Sequence, residues 1–108
     1  MKPEPKVIKS ESGDCEFIRL LGGPPESVLM RSGAVSLQPG KTVGKHNTEG
    51  NEELLIVMAG EGSLLLEGSQ QLEMCRGNVV YCPPETEHDV RNTGSGILRY
   101  IYVTARIK

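Results

Sequence analysis

The sequence predicts an all-β fold, a barrel or sandwich built from about eight short strands. Two observations carry that expectation. Thirteen Gly and seven Pro in 108 residues imply many tight turns, which favour numerous short strands over a few long helices. The apolar runs are also broken at short intervals by turn signals: Gly22-Gly23-Pro24-Pro25, Pro39-Gly40, Gly60-Glu61-Gly62, Glu67-Gly68-Ser69, Arg76-Gly77-Asn78, Pro83-Pro84 and Thr93-Gly94-Ser95-Gly96.

Taken in order, residues 1 to 12 are polar and proline-bearing, and read as a tail or an edge segment ahead of a barrel domain at 13–108. Strands are expected at Glu16–Leu20, Ser27–Gln38, Glu53–Ala59, Ser63–Glu67, Gln71–Cys75, Val79–Cys82, His88–Asn92 and Ile97–Thr104. Glu52 to Met58 contains good helix formers. Gly50 and Gly60 bracket it so closely that a strand is the better reading. Because Leu54 to Ala59 is apolar at every position, both faces of that strand need cover, one from the barrel interior and the other from a second sheet or subunit. A homodimer is therefore expected.

Composition narrows the function classes. A chain of this length holds one domain. Twelve Lys plus Arg against fourteen Asp plus Glu leave a net charge of −2, which offers no basic field for nucleic acid. Leu54 to Ala59 is the longest apolar run, far short of the roughly 20 residues of a membrane-spanning helix. The charged, proline-rich start does not resemble a signal peptide, so a cytoplasmic protein with no membrane contact is expected. Cys15, Cys75 and Cys82 form no C-x-x-C pair and are expected to be free thiols. With one Phe, three Tyr and no Trp, aromatic stacking is not expected to carry recognition. Tyr81, Met30, Met58 and Met74 are expected to be packing residues.

The chain has two histidines, His46 and His88. In a strand, side chains two apart share a face, which groups His88 with Val90 and Asn92, and Glu53 with Leu55, Val57 and Ala59. A carboxylate opening an otherwise apolar inner face needs a metal ion or another cation as partner.

These residues carry a family resemblance. Gly40-Lys41-Thr42-Val43-Gly44-Lys45-His46-Asn47-Thr48-Glu49-Gly50-Asn51-Glu52-Glu53, followed by Leu54 to Gly60, resembles the first cupin motif, G-x5-H-x-H-x3-4-E-x6-G, at Gly40, His46, Glu53 and Gly60. Gly77 to Asn92 resembles the second, G-x5-P-x-G-x2-H-x3-N, at Gly77, Pro83, His88 and Asn92. The resemblance covers residues from about 35 to 104 and implies a cupin barrel, the double-stranded β-helix or jelly roll. There are two departures. Thr48 replaces the second histidine of the first motif, which removes a ligand. Glu85 replaces the glycine of the second, where the loop is expected to adopt another conformer.

What the resemblance implies is a site of His46, Glu53 and His88 for a divalent transition metal, Fe, Mn, Ni or Zn. Two imidazoles and a carboxylate would leave open coordination positions. Glu53 is preferred to Glu52 by its count to Gly60, and the competing fate for it is an ion pair with Lys45 or Arg91. Thr48, Glu49 and Arg99 are the candidate substrate contacts, with Arg99 set on one face of the last strand and Leu98, Tyr100 and Tyr102 on the other. Parity alone does not say which face is inside. Cys82 reads as a buried inert thiol. The functional expectation is a metal-dependent cupin, of dioxygenase or isomerase type if an enzyme, acting on a small polar organic molecule such as a sugar derivative or carboxylic acid. The alternative is a metal-free, non-catalytic binder of a small ligand.

Overall fold

Turn residues and alternating burial organise the described residues into nine strands. The computed structural model describes residues 2–11 and 16–107; Cys15 lies outside them. The strands are β1 (Phe17–Gly22), β2 (Arg31–Leu37), β3 (His46–Asn47), β4 (Asn51–Ala59), β5 (Glu61–Leu65), β6 (Gln71–Cys75), β7 (Val79–Cys82), β8 (Glu87–Asn92) and β9 (Leu98–Arg106). A single 3-10 turn, Glu67–Ser69, joins β5 to β6. They form a five-stranded sheet in the order β1-β2-β9-β4-β7 and a four-stranded sheet in the order β3-β8-β5-β6. All pairings are antiparallel.

Each inner face supplies one half of the core. On β4, Glu53, Leu55 and Val57 point inward at 8%, 1% and 2% exposure, while Leu54 and Met58 point outward. Leu64, Met74, Val80, Val90, Leu98 and Tyr100 complete the apolar centre. On β8, His88, Val90 and Asn92 share the buried face, as strand periodicity requires. Met74 is a core residue, and Met30, Met58 and Tyr81 are about half exposed.

The differences from the expected strands have local causes. The segment expected to begin at Ser27 becomes β2 only at Arg31. Glu26 and Ser27 both donate their N–H to the Gly23 carbonyl, and the Ser27 hydroxyl donates to the Met30 carbonyl, committing that stretch to turns. β3 is an additional two-residue strand that exists through its pairing with β8, where His46 lies opposite His88. Residues 2–11 form no strand, but two side-chain contacts tie them down: Lys6 Nζ donates to the Glu26 carbonyl and Arg99 Nη2 to the Ser10 carbonyl.

The motif glycines serve the turns. Gly40, Gly60 and Gly77 all have positive φ, and at Gly60 a Cβ would sit 2.4 Å from the Ile97 carbonyl oxygen. Asn92, 1% exposed, clamps the last turn: its Nδ2 donates to the carbonyls of Leu37 and Gly96, and its Oδ1 accepts from Gly94 N.

Candidate metal centre

The β3–β8 register sets His46 directly opposite His88, with ring centroids 4.1 Å apart and the ring planes at 61°. β4 of the other sheet brings Glu53 to the same point. One ligand atom from each of His46, Glu53 and His88 lies within 4.8 Å of the others, close enough for one ion to reach all three. Glu53 and His88 are buried; His46 is exposed through the mouth of the cavity it lines.

Both imidazoles are held in the same way. His46 Nδ1 donates to the Gly44 carbonyl at 2.9 Å, and His88 Nδ1 donates to the Thr86 carbonyl at 3.1 Å. A carbonyl can only accept, so each ring carries its proton on Nδ1 and turns Nε2 toward the centre, the orientation that metal-ligating histidines adopt. His88 Nε2 and Glu53 Oε1 stand 3.0 Å apart, and both are buried without a well-aligned hydrogen-bond partner among the described residues. With Nδ1 protonated, a neutral His88 would set a nitrogen lone pair against a carboxylate. Something positive has to lie between them, either a second proton or a metal ion. Burial works against charging His88, but the Glu53 carboxylate, the Thr86 carbonyl and the Asp89 charge outweigh it and hold the imidazole above its ordinary range. The donor set, the orphaned pair and the anchored rings therefore fit a divalent transition metal.

The remaining sequence candidates do not meet at this point. Thr48 is buried, and its hydroxyl is committed: it donates to the Pro83 carbonyl at 2.7 Å and accepts from Thr86 N at 2.9 Å. Together with bonds from Thr48 N to Thr86 O and from Glu85 N to Glu49 O, it joins the two motif loops. Glu49 is an exposed turn residue at φ 54. Arg99 lies on the outer face and holds Ser36 Oγ as well as the Ser10 carbonyl. None of the three lines the cavity. Glu52 faces outward and accepts a hydrogen bond from the Tyr81 hydroxyl at 2.9 Å, leaving Glu53 as the inward carboxylate. Glu85 keeps the left-handed backbone of the motif glycine, φ 56, instead of the different conformer expected. Cys82 is 1% exposed, and burial, with help from the Glu53 charge, pushes its thiol up to about 11.

Sequence reasoning missed the cavity wall. The site opens into a cavity of about 540 Å³ whose lining includes Phe17, Val35, Val43, Lys45, Leu55, Tyr100 and Tyr102. Three of the four aromatic residues in the chain, Phe17, Tyr100 and Tyr102, border it. The signal available was the shared parity of Leu98, Tyr100 and Tyr102; the burial of Leu98 and Tyr100 now identifies that face as the inner one.

A two-sheet antiparallel barrel of the double-stranded β-helix type carries at its mouth two histidines and a glutamate that could hold a metal ion. Residues 33–104 match the Cupin domain family, and the chain belongs to it. A curated relative, the oxalate-binding protein of Thermotoga maritima, is 29% identical over 97 residues, covering 89% of this chain and 79% of that one. Among solved structures, an RmlC-like cupin family protein from Methanocaldococcus jannaschii superposes with a TM-score of 0.78 at 25% identity, covering 94% of this chain and 91% of the other. A Bacillus halodurans protein reaches a TM-score of 0.83 at 21% identity over 98% of this chain and 84% of its own.

Proposed function

We propose that this cupin holds a divalent transition metal through His46, Glu53 and His88 and binds a small organic acid in the adjoining cavity. The observation that carries the reading is the His88 Nε2–Glu53 Oε1 pair, buried, 3.0 Å apart and without aligned partners, beside a second imidazole anchored in the same tautomer. When bound, the ion supplies a Lewis acid that polarises a ligand oxygen. The chain's own contribution is to fix both rings through Gly44 and Thr86, to present Glu53 from the facing sheet, and to surround the bound molecule with apolar walls that exclude water. The oxalate-binding relative supports a small carboxylate as ligand.

A second reading, a metal-free binding module, rests on the same His88 Nε2–Glu53 Oε1 pair at 3.0 Å, since a protonated imidazole would also satisfy Glu53. One experiment separates the two. Elemental analysis of protein purified without added metal is expected to show about one transition-metal ion per chain, lost in the His46→Ala, His88→Ala double variant. A metal-free result that persists after incubation with Fe, Mn, Ni and Zn salts sinks the metal reading and leaves the binding module.

A further inference from the structure

The cavity beside the His46–Glu53–His88 cluster is not lined like a site for a very small, wholly polar molecule. Its wall is mostly apolar, and at 540 Å³ it lies in the size range of organic-ligand pockets. Phe17 and Tyr102 stand nearly parallel along one side, with ring centroids 6.3 Å apart and an interplanar angle of 16°. Gly33 makes room for them: a Cβ there would lie 2.7 Å from Phe17 Cε1 and 2.8 Å from Tyr102 Cε2. Phe17 is 53% exposed and Val43 44% exposed although both border the cavity. The barrel therefore leaves apolar surface open to solvent at its mouth, the surface a ligand's apolar body would cover.

Charge and hydrogen bonding limit the other end of the ligand. Among the described residues, Lys45 is the only Lys or Arg bordering the cavity and Glu53 the only acid. Tyr100 also borders the cavity and is 3% exposed. The site thus offers one cation beside the metal ligands, which matches a single carboxylate.

We propose that the ligand of this site is an aromatic monocarboxylate, its ring seated against the Phe17–Tyr102 pair over Gly33 and its carboxylate held between Lys45 and the His46–Glu53–His88 cluster. This deepens the reading given above and rests on it for the metal end of the ligand. It departs from the relative's oxalate, which has no apolar body to cover Phe17 and carries a second carboxylate for which the wall supplies no second lysine or arginine.

The test is a titration of the full chain, zinc-loaded and metal-free, with benzoate, phenylacetate, 3-phenylpropionate and oxalate, followed by calorimetry and by 1H–13C methyl spectra. At least one aromatic acid is expected to bind about tenfold or more tighter than oxalate, a difference of about 1.4 kcal/mol. It is also expected to shift the methyl resonances of Val35 and Leu55. Phe17→Ala and Lys45→Ala replace side chains exposed at the mouth, so the barrel should keep its dispersed spectrum, while each change weakens the aromatic acid about tenfold. Equal or tighter binding of oxalate overturns the proposal. So does failure of all three aromatic acids at millimolar concentration, or methyl shifts that avoid Val35 and Leu55. Comparing the zinc-loaded with the metal-free chain, both with His46 and His88 intact, separates the two readings. Aromatic-acid binding in a protein that takes up no metal keeps this proposal and removes the metal, whereas a metal-loaded protein that ignores these acids does the reverse.

Discussion

Thr48 stands where the first cupin motif carries a second histidine, and the structure gives it a different occupation. Its buried hydroxyl closes two hydrogen bonds between the motif loops, to Pro83 O and from Thr86 N. Thr48→Val keeps the shape and strands both partners, at a cost of about 1–3 kcal/mol. For a domain of this size each kcal/mol lowers Tm by about 4–8 °C. Thermal unfolding followed by circular dichroism is expected to show that drop while elemental analysis shows unchanged metal content; loss of metal with unchanged Tm would make Thr48 part of the ion site instead. The contrast shows what was legible. His46, Glu53 and His88 could be read from the sequence because they stand at the positions of the two cupin motifs, and they come together in the structure. Phe17, Lys45 and Tyr102 could not, because they belong to different elements that only the sheet order brings to one cavity. The bonds of the Thr48 hydroxyl were not legible because its partners, Pro83 and Thr86, lie on the other motif loop.

Turns, more than strands, fix the barrel's register, and Gly60 is the clearest case. It joins β4 to β5 at φ 84, and any Cβ would meet the backbone of Ile97 and Leu98 at 2.4 and 2.9 Å. Gly68 also has positive φ, 72, but a Cβ there would meet nothing within 4 Å. Gly68→Ala should therefore lose only the conformational term, roughly 1–2 kcal/mol, whereas Gly60→Ala adds a clash with backbone that cannot rotate away. Urea unfolding is expected to rank Gly60→Ala well below Gly68→Ala, with the wild type highest. Equal midpoints would show that the β4–β5 turn yields without cost. The strands themselves were legible to within a few residues, since alternation on β4 and β8 and the turn signals between runs are local properties. The late start of β2 and the existence of β3 were not, because one depends on turn bonds to Gly23 and the other on pairing with β8.

The five-stranded sheet has an outer face that the chain does not cover. Strand alternation and register place Leu54, Met58, Val79 and Tyr81 on the outside of β4 and β7, at 37%, 48%, 57% and 53% exposure, with Tyr81 paired to Leu54 and Val79 to Ile56. Met30 joins Leu54, Tyr81, Val103 and Ala105 around one shallow depression on that face. Two acids border it: Glu52 is engaged by the Tyr81 hydroxyl and Glu53 is buried beside His88, so little free charge opposes burial. A flat sheet face of this kind stacks on a second copy of itself about 10 Å away, as the layers of a sandwich do, and a two-fold pairing uses the same patch on both chains. Such a pairing would account for the apolar residues at consecutive positions of β4: one face fills the barrel and the other would meet a partner. Light scattering coupled to size exclusion is expected to give about twice the monomer mass of 11.7 kDa. The Leu54→Glu, Val79→Glu double variant places four like charges at the centre of the paired faces and should run as a monomer. Because Glu53 and His88 face the barrel interior on the other side of the sheet, that variant is expected to retain its metal content. A wild-type chain that stays monomeric at tens of micromolar would assign the apolar face to a different partner.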